Sequence, residues 1–191
     1  MIFILVAVVA RVAYQYKISG DHGVRPASRQ ASTANKVASV LFAASFIGIF
    51  VLSVVDFYPI EHRNLVDSTS RQIIGIVVCL AGIVLTSYSQ LAMERSWRMG
   101  VDENETTMLV TTGIYSRVRN PIYTGVAIFL LGQLLLIPYL TTLVFVVMAL
   151  ISIHLHVRYI EEPYLLSQHG EPFIHYQRST GTYIPKIRQK T

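Results

Sequence analysis

The chain has 191 residues, of which 52% are hydrophobic and 14% charged, with a mean hydropathy of +0.48 and a net charge of +5. A soluble domain carries about 25% charged residues, and a chain of this length cannot hide so much apolar surface inside one soluble globule. The composition therefore excludes a purely soluble protein and predicts a single membrane domain over residues 1–191.

Two apolar stretches in the first 70 residues predict two N-terminal membrane spans. Met1 to Tyr16 is apolar apart from Arg11 and Gln15, and it lacks the positive region that precedes the apolar core of a signal peptide. Lys36 to Tyr58 contains an uninterrupted run of about 19 apolar and small residues, which is close to one bilayer crossing. We therefore expect these two spans to precede a core formed by residues 71–191.

Gln72 to Met93 predicts a third span that carries a stripe of small side chains. The stripe consists of Gly75, Cys79, Gly82, Thr86 and Ser89. Their spacings of four, three, four and three residues place them on one helical face, where small residues let another membrane helix approach closely. The single cysteine of the chain lies in this stripe, excludes an intrachain disulfide, and is expected to pack rather than react.

Pro121 to Tyr159 predicts a helical hairpin, because this stretch carries no charge before Arg158. Pro138 divides it into two arms, Ile122–Ile137 and Tyr139–Tyr159. Proline suits the first turn of a helix, so both prolines are predicted to begin helices. At 1.5 Å per residue the arms are about 24 Å and about 31 Å long, so the first arm is short for a full crossing.

The positions of Lys and Arg predict the topology. Thirteen of the sixteen lie in residues 17–36, in residues 94–120 and from residue 158 onward, whereas two lie in residues 59–71. The positive-inside rule places the larger group in the cytoplasm and the N-terminus outside. We therefore expect a multi-pass, all-α protein of the cell inner membrane with about five transmembrane helices, the last two forming the hairpin. A cytoplasmic amphipathic segment should follow, from Pro163 to Gly170. Topology then explains the basic charge, and nucleic-acid binding is not predicted.

The first polar stretch precedes the hairpin. Asn120 and Pro121 suit the N-cap and the first position of a helix, so amide donors and the positive end of the helix dipole lie beside Arg119. Such a helix end binds anions, although a capped helix whose arginines reach the lipid headgroups is an equally good interpretation. Tyr115 and Tyr123 are likewise typical of interfacial aromatic residues.

The second polar stretch follows the hairpin and should meet the first, since a hairpin returns the chain to the side that it left. His154, Arg158 and Glu161 follow one another at spacings of four and three residues and share one helical face, with Glu162 beside them. Ionisable residues this close to lipid indicate a functional site. The structural alternative is an ion pair that only closes the helix end. The scattered histidines match no metal-binding motif, so no metal site is predicted.

Four short motifs lie in this half of the chain. They are Ser96-Trp-Arg-Met-Gly-Val-Asp102, Leu109-Val-Thr-Thr-Gly-Ile-Tyr115, Arg117-Val-Arg-Asn-Pro-Ile-Tyr123, and Glu161-Glu162 followed by Gly170 and Tyr176. Together, in order and spacing, they resemble the isoprenylcysteine carboxyl methyltransferase family over about residues 72–185. The resemblance implies a prokaryotic-type, all-helical integral membrane methyltransferase that uses S-adenosylmethionine.

The resemblance also implies a site, carried over by position. The implied cofactor residues are Thr107, Met108, Leu109, Val110, Tyr115, Asn120, Pro121, Ile122, Tyr123 and Glu161, and local chemistry adds Arg119 and Glu162. The family's usual histidine is Asn120 here, and the arginine that contacts substrate in the family falls at Val157, one residue before Arg158. A shift of one residue turns a helical side chain by about 100°. Trp97 and Arg158 are the predicted acceptor contacts, and Asn120 and Arg158 the predicted catalytic residues.

The chemistry of the cofactor agrees with these residues. Its sulfonium, ammonium and carboxylate need an aromatic face, an acid and an anion-binding element. These are supplied by Tyr115 or Tyr123, by Glu161 or Glu162, and by Arg119 with the helix end at Pro121. Methyl transfer to a carboxylate needs no general base, because the nucleophile is already ionised, and a water-poor cavity favours the step because it neutralises charge.

The predicted function is therefore methyl transfer to a lipophilic acceptor, either a small molecule or a lipidated chain, with a carboxylate of the prenylcysteine type as the leading candidate. Methylation of a small thiol or an amine lipid is the enzymatic alternative. A small membrane carrier and a non-catalytic scaffold are the alternatives without catalysis. All paired charges lie at one end of the spans rather than near the middle, which argues against a carrier.

Overall fold

The computed structural model describes residues 2–25, 33–57, 69–98, 100 and 108–186. Regular structure in these ranges is helical, apart from isolated bridge residues, which include the parallel pair Val118 and Gly181. The longer helices are α1 (Ile2–Ser19), α2 (Thr33–Phe57), α3 (Thr69–Ala92), α4 (Pro121–Leu136), α5 (Leu140–His169) and α6 (Glu171–Ser179). Short 3-10 turns occupy Glu94–Ser96 and Gly113–Ser116.

Four of these helices, α1, α2, α3 and α5, are long and apolar enough to cross a membrane. Helix α4 is also apolar but has only 16 residues, so its length of about 24 Å falls short of the apolar thickness of about 30 Å. The predicted all-helical integral membrane fold is confirmed, and the first hairpin arm is as short as expected.

Helices α3 and α4 make the most extensive contact between described helices. A Cβ atom on Gly82 would lie 2.5 Å from the backbone nitrogen of Phe129, and one on Gly125 would lie 2.4 Å from Oγ1 of Thr86. These glycines therefore let the two backbones touch, which is how small residues associate helices in lipid. The predicted contact of the small-residue stripe is confirmed, and its partner is the first arm of the hairpin.

The two hairpin arms form but pack on different partners, α4 mainly on α3 and α5 mainly on α2. Ser152 ties α5 to α2 by donating from Oγ to the carbonyl of Ala38 at 2.7 Å. Pro121 is the first residue of α4, as predicted. The prediction that Pro138 begins the second arm is wrong, because α5 begins at Leu140, after an extended Tyr139. The fixed φ of proline serves the connecting turn instead.

Helix α5 contains a π-helical turn at Val157–Glu161 and then continues to His169. The prediction that Pro163 starts a separate segment is therefore wrong. Proline lacks an N–H, and its ring clashes with the carbonyl four residues earlier, which belongs to Tyr159 inside this turn. The wider π turn accommodates the proline without ending the helix. The chain reverses at Gly170, where φ is +56° and glycine is favoured.

Helix α1 is joined to the C-terminal end of α3 by polar side chains. Gln90 donates from Nε2 to the carbonyl of Ala7 at 2.9 Å, and Arg11 donates from Nη2 to the carbonyl of Glu94 at 2.9 Å. Buried polar groups need such partners, so these bonds fix where α1 sits. The N-terminal helix thus packs directly beside the segment that carries the first of the four motifs.

Candidate active site

The segment after α6 crosses the start of α4 and joins the two polar stretches. We call residues 180–183 the C-terminal strap. The backbone nitrogen of Arg119 donates to the carbonyl of Gly181 at 2.8 Å, and that of Asn120 donates to the carbonyl of Thr182 at 3.1 Å. The stretches before and after the hairpin therefore meet, as the topology predicts, and they do so by backbone pairing.

Arg119 makes its hydrogen bonds within the protein. Its Nε and Nη2 donate to Oε1 of Glu162 at 3.3 and 3.0 Å, and Nη2 also donates to Oγ1 of Thr182 at 2.9 Å. Its Nη1 donates to the carbonyls of Gln177 and Thr180 at 3.1 and 2.7 Å. A guanidinium has five N–H donors, and these five contacts engage all of them. Arg119 thus holds Glu162 and the strap in place, while its contact with a cofactor stays a prediction.

Asn120 occupies the N-cap position of α4, but its side chain makes no capping bond. Its Nδ2 instead donates to the carbonyl of Thr182 at 3.3 Å. Its own carbonyl accepts from the backbone nitrogen and from Oγ1 of Thr124, both at 3.2 Å. The side-chain amide of Asn120, which was predicted to cap α4, therefore contacts the strap instead.

Glu161 is held from two sides and remains partly open. Its Oε1 accepts a hydrogen bond from the hydroxyl of Tyr123 and lies 3.3 Å from Nε2 of His156. The rings of Tyr123 and His156 meet edge to face, with their centroids 6.5 Å apart. Because 26% of the Glu161 side chain is exposed, an organic cation can reach this carboxylate beside an aromatic ring.

His156 is a site residue that the sequence analysis missed. The spacing argument assumed a regular α-helix and placed His154 with Glu161, but the π turn brings His156 there instead. The ring of His154 lies near that of Tyr183 in the strap, with centroids 6.4 Å apart. The signal in the sequence was Pro163, since a proline within a helix calls for an irregular turn before it.

Glu162 is buried between two arginines. Its Oε1 faces Arg119, and its Oε2 lies 3.4 Å from Nη1 of Arg158. The side chain of Arg158 is 66% exposed, so this second pair contributes little to stability, about 0–1 kcal/mol. Val157, where the family's arginine falls, is buried in the apolar core. Arg158 is thus accessible from outside the bundle, as an acceptor contact requires.

Tyr115 anchors the loop before α4 to α3. Its hydroxyl donates to the carbonyl of Ser89 at 3.1 Å, and its own carbonyl accepts from the hydroxyl of Tyr176 at 2.6 Å. Burial raises the pKa of Tyr115 and raises the pKa of Tyr176 to about 12, so both phenols are donors at neutral pH. The second and fourth motifs therefore contact each other through this pair.

A groove of about 530 Å³ runs between the loop before α4 and α6. It is lined by Leu109, Thr111, Ser116, Pro172, His175, Tyr176, Ser179 and Thr180. Of the predicted cofactor residues, this groove contains Leu109, while the neighbouring Met108 is exposed. Pro121 is buried, Val110 and Ile122 are half-buried, and Thr107 lies outside the described residues.

The contacts of Trp97 are with α1 and the residues that follow it, and not with Arg158. Its side chain is only 3% exposed, and Cζ of Arg11 lies 4.6 Å from a ring centroid. Gly23 packs against the same indole, since a Cβ atom on that glycine would lie 3.1 Å from the ring. The indole is thus occupied by protein contacts, and its predicted contact with an acceptor stays a prediction.

Comparison with known proteins finds a matching family model, a relative that is similar in sequence, and a solved structure with a similar fold. The chain matches the model of the family described as phospholipid methyltransferase over residues 70–171, which is more than half of its length. It is 32% identical over 117 residues to protein-S-isoprenylcysteine O-methyltransferase of Tribolium castaneum, a match that covers 60% of this chain and 41% of that protein. The match therefore spans less than half the length of the curated relative.

Its fold is similar to the solved structure of the eukaryotic intramembrane Ras methyltransferase, isoprenylcysteine carboxyl methyltransferase. The TM-score is 0.63 at 23% sequence identity, and the superposition covers 97% of this chain and 64% of that one. Almost the whole chain, including helices α1 and α2, therefore shares the fold of this membrane protein.

Proposed function

Because the chain belongs to the phospholipid methyltransferase family, we propose that it is an integral membrane enzyme that transfers a methyl group from S-adenosylmethionine to a lipophilic acceptor. The resemblance to the isoprenylcysteine carboxyl methyltransferase family, expected from the motifs, is confirmed by the curated relative and the solved structure. The observation that carries the proposal is the partly open carboxylate of Glu161 beside the ring of Tyr123.

The residues around Glu161 fit the charged groups of this cofactor. The carboxylate suits an ammonium, and the aromatic rings of Tyr123 and Tyr115 suit a sulfonium. The hydroxyl of Tyr183 is buried and has no hydrogen-bond partner among the described residues. Burial and the nearby charge of Glu161 raise the pKa of Tyr183 to about 12, so this hydroxyl keeps its proton at neutral pH. It can therefore donate a hydrogen bond to a ligand. We assign the remaining cofactor contacts to Thr107, Met108, Leu109, Val110, Asn120, Pro121 and Ile122.

The chain's own residues supply orientation and exclude water. Tyr123 and His156 hold the carboxylate of Glu161, while Arg119 and the buried Glu162 hold the strap across the start of α4. Tyr123 and Tyr183 also pack against the apolar core, which keeps water from that side of the site. When bound, the cofactor supplies an electrophilic methyl group, and such positioning in a dry site is what this transfer needs.

The acceptor that we propose is a lipophilic carboxylate of the prenylcysteine type. Arg158 is exposed in the π turn of α5 and presents a charge that orients an anion. A carboxylate is ionised at neutral pH, so the site needs no base for it. Asn120, close to the strap, is the proposed polar contact near the reacting groups.

An amine lipid is the second candidate acceptor, and the description of the matching family favours it. An amine must lose a proton before it accepts a methyl group, and His156 beside Glu161 is a group that can take it. The two acceptors are therefore separated by the chemistry of the product, an ester or a methylated amine.

Binding of S-adenosylhomocysteine to the detergent-purified protein tests the proposal. Titration calorimetry should give saturable binding with one site per chain, because the product of the cofactor keeps its ammonium and carboxylate. Glu171→Gln is the matched control, since it removes an exposed carboxylate at the start of α6. It should bind as the unaltered protein does. A carrier or a scaffold predicts no affinity, and the absence of binding would overturn the proposal.

A further inference from the structure

Arg11 is a buried cation whose side chain is only partly satisfied. The residue lies within α1 and is 4% exposed. Its Nη2 donates to the carbonyl of Glu94, but Nε and Nη1 are buried and have no hydrogen-bond partner among the described residues. Buried polar atoms are nearly always paired, so two unpaired nitrogens on one charged group indicate a missing partner.

The contacts that Arg11 makes with aromatic rings stabilise the plane of its guanidinium and leave two of its nitrogens unpaired. Cζ lies 4.6 Å from a ring centroid of Trp97 and 5.3 Å from that of Tyr14. Aromatic faces stabilise a cation across its plane, whereas the N–H groups of a guanidinium lie in that plane. In the part of the chain that the structure describes, no carboxylate forms an ion pair with Arg11. The unpaired N–H groups at Nε and Nη1 lie on different edges of the guanidinium, and each can donate a charge-assisted hydrogen bond to an oxygen of an anionic ligand.

Arg11 also belongs to the same region as the candidate cofactor site. Tyr115 lies within electrostatic reach of both Arg11 and Glu161. The hydroxyl of Tyr115 donates a hydrogen bond to the carbonyl of Ser89. Gln90, which follows Ser89, donates to the carbonyl of Ala7, one turn before Arg11 in α1. Tyr115 thus lies near both a carboxylate and an incompletely paired cation. A zwitterionic ligand needs this pair of charges.

The other arginines of the site are engaged elsewhere. Arg119 was predicted to bind the carboxylate of the cofactor. Its five donors instead contact Glu162, the strap and the end of α6. Arg158 is largely exposed and pairs with Glu162. Among the described arginines near Glu161 or Tyr115, Arg11 is therefore the one with buried donors to offer.

We propose that Arg11 binds the carboxylate of a ligand in this site through an unpaired N–H group of its guanidinium. The inference rests on the proposed function and deepens it, because it gives α1 a part in binding. Both the amino-acid end of the cofactor and the proposed acceptor carry a carboxylate. The chemistry is the same in the two cases, and the choice of ligand separates them.

The test compares ligands with and without the carboxylate on variants of Arg11. Arg11→Met keeps the length of the side chain and removes its charge, and Arg11→Lys keeps the charge and loses the planar fork. The matched control is Gln15→Met, one turn further along α1, because it removes a hydrogen bond to the carbonyl of Arg95 at 3.0 Å without removing a charge. Calorimetry is run with S-adenosylhomocysteine and with 5′-methylthioadenosine, which lacks the amino-acid group.

If the carboxylate is that of the cofactor, Arg11→Met should lower the affinity for S-adenosylhomocysteine by at least about tenfold and leave the affinity for methylthioadenosine unchanged. The affinity of Arg11→Lys for S-adenosylhomocysteine should lie between those of Arg11→Met and the unaltered protein. If it is that of the acceptor, both nucleosides should bind normally. Binding of an N-acylated S-prenylcysteine should then weaken by a similar factor, while that of its uncharged carboxamide should not. Gln15→Met should match the unaltered protein in every titration.

Unchanged affinity for every ligand in both Arg11 variants would overturn the inference and leave Arg11 as a packing residue, whatever happens to thermal stability. Arg11→Lys keeps the test decisive if Arg11→Met does not fold, because it retains the buried charge. The proposed function fails separately, and the inference with it, if the unaltered protein binds no S-adenosylhomocysteine.

Discussion

Nε2 of His156 lies 3.3 Å from Oε1 of Glu161, although five residues of regular α-helix would turn the two side chains about 140° apart. The π turn at Val157–Glu161 removes this difference, because its hydrogen bonds join residues five apart. Turns of this kind are frequent at functional sites. The relationship makes His156 a positioning residue for the carboxylate that we assign to the cofactor.

Replacing His156 by leucine should weaken binding of S-adenosylhomocysteine by about tenfold, because Glu161 loses one of its two orienting contacts. His156→Gln keeps a donor and should restore most of the affinity. The control is Tyr159→Leu, which changes an exposed side chain of the same turn and should have no effect. Equal affinity of the leucine variant and the unaltered protein in calorimetry would show that Tyr123 alone orients the carboxylate.

Replacing Glu161 by glutamine should abolish cofactor binding while leaving thermal unfolding of the ligand-free protein nearly unchanged. The variant keeps the shape of the side chain but has no charge for an ammonium. Glu162→Gln should behave differently and lower the unfolding temperature, because Arg119 would lose the buried carboxylate that it faces at 3.0 Å. Tight binding of S-adenosylhomocysteine by Glu161→Gln would disprove its role and move the assignment to Glu162.

Replacing Asn120 by histidine restores the residue that the resembled family usually has. We expect cofactor affinity to stay within about tenfold, or about 1.4 kcal/mol, because an imidazole N–H can donate to the strap carbonyl that Nδ2 now contacts. Calorimetry on this variant measures the difference. Complete loss of binding would mean that the amide of Asn120 makes a contact that imidazole does not replace.

Replacing Arg158 by alanine should reduce methyl transfer strongly and barely alter cofactor binding. Loss of a charge-assisted contact to a desolvated partner costs about 2–5 kcal/mol. Glu162 keeps Arg119 in the variant, so no buried carboxylate is left unpaired. Arg158→Lys should rescue only in part, since it keeps the charge without the planar fork. Equal losses of affinity and turnover in Arg158→Ala would refute the acceptor role.

The proposed topology places the site on the cytoplasmic side. Cysteines introduced at positions 30 and 105 should be shielded from a membrane-impermeant thiol reagent added to intact cells, and one at position 64 should react. The native Cys79 is buried and should stay silent in each variant. Labelling at 30 and 105 with none at 64 would reverse the orientation.

Regular features of the fold follow from the sequence, and irregular ones do not. The small-residue stripe on α3 and the start of α4 at Pro121 were predictable, because helical periodicity and the backbone of proline act locally. The π turn follows from a local clash at Pro163, but the clash alone does not say whether the helix bends, ends or widens.

The same contrast holds within the site. Glu161 and Tyr123 were predicted from the resemblance, and their side chains contact each other. Two of the five hydrogen bonds of Arg119 go to the strap, whose acceptors at Thr180 and Thr182 lie 61 and 63 residues further along the chain. Arg11 lies still further from the motifs in sequence and is placed by contacts with the end of α3. Long-range pairing of this kind leaves no periodic signal.

Transfer of a labelled methyl group tests the central claim most directly. The purified protein in lipid is given S-adenosylmethionine labelled on the methyl group together with an N-acylated S-prenylcysteine. The account predicts label in the lipid phase that is released as methanol by base, as a methyl ester requires, and that is absent with Glu161→Gln. Base-stable label on an amine lipid would contradict the carboxylate acceptor, and no transfer to either acceptor would contradict the assignment as a methyltransferase of lipophilic acceptors.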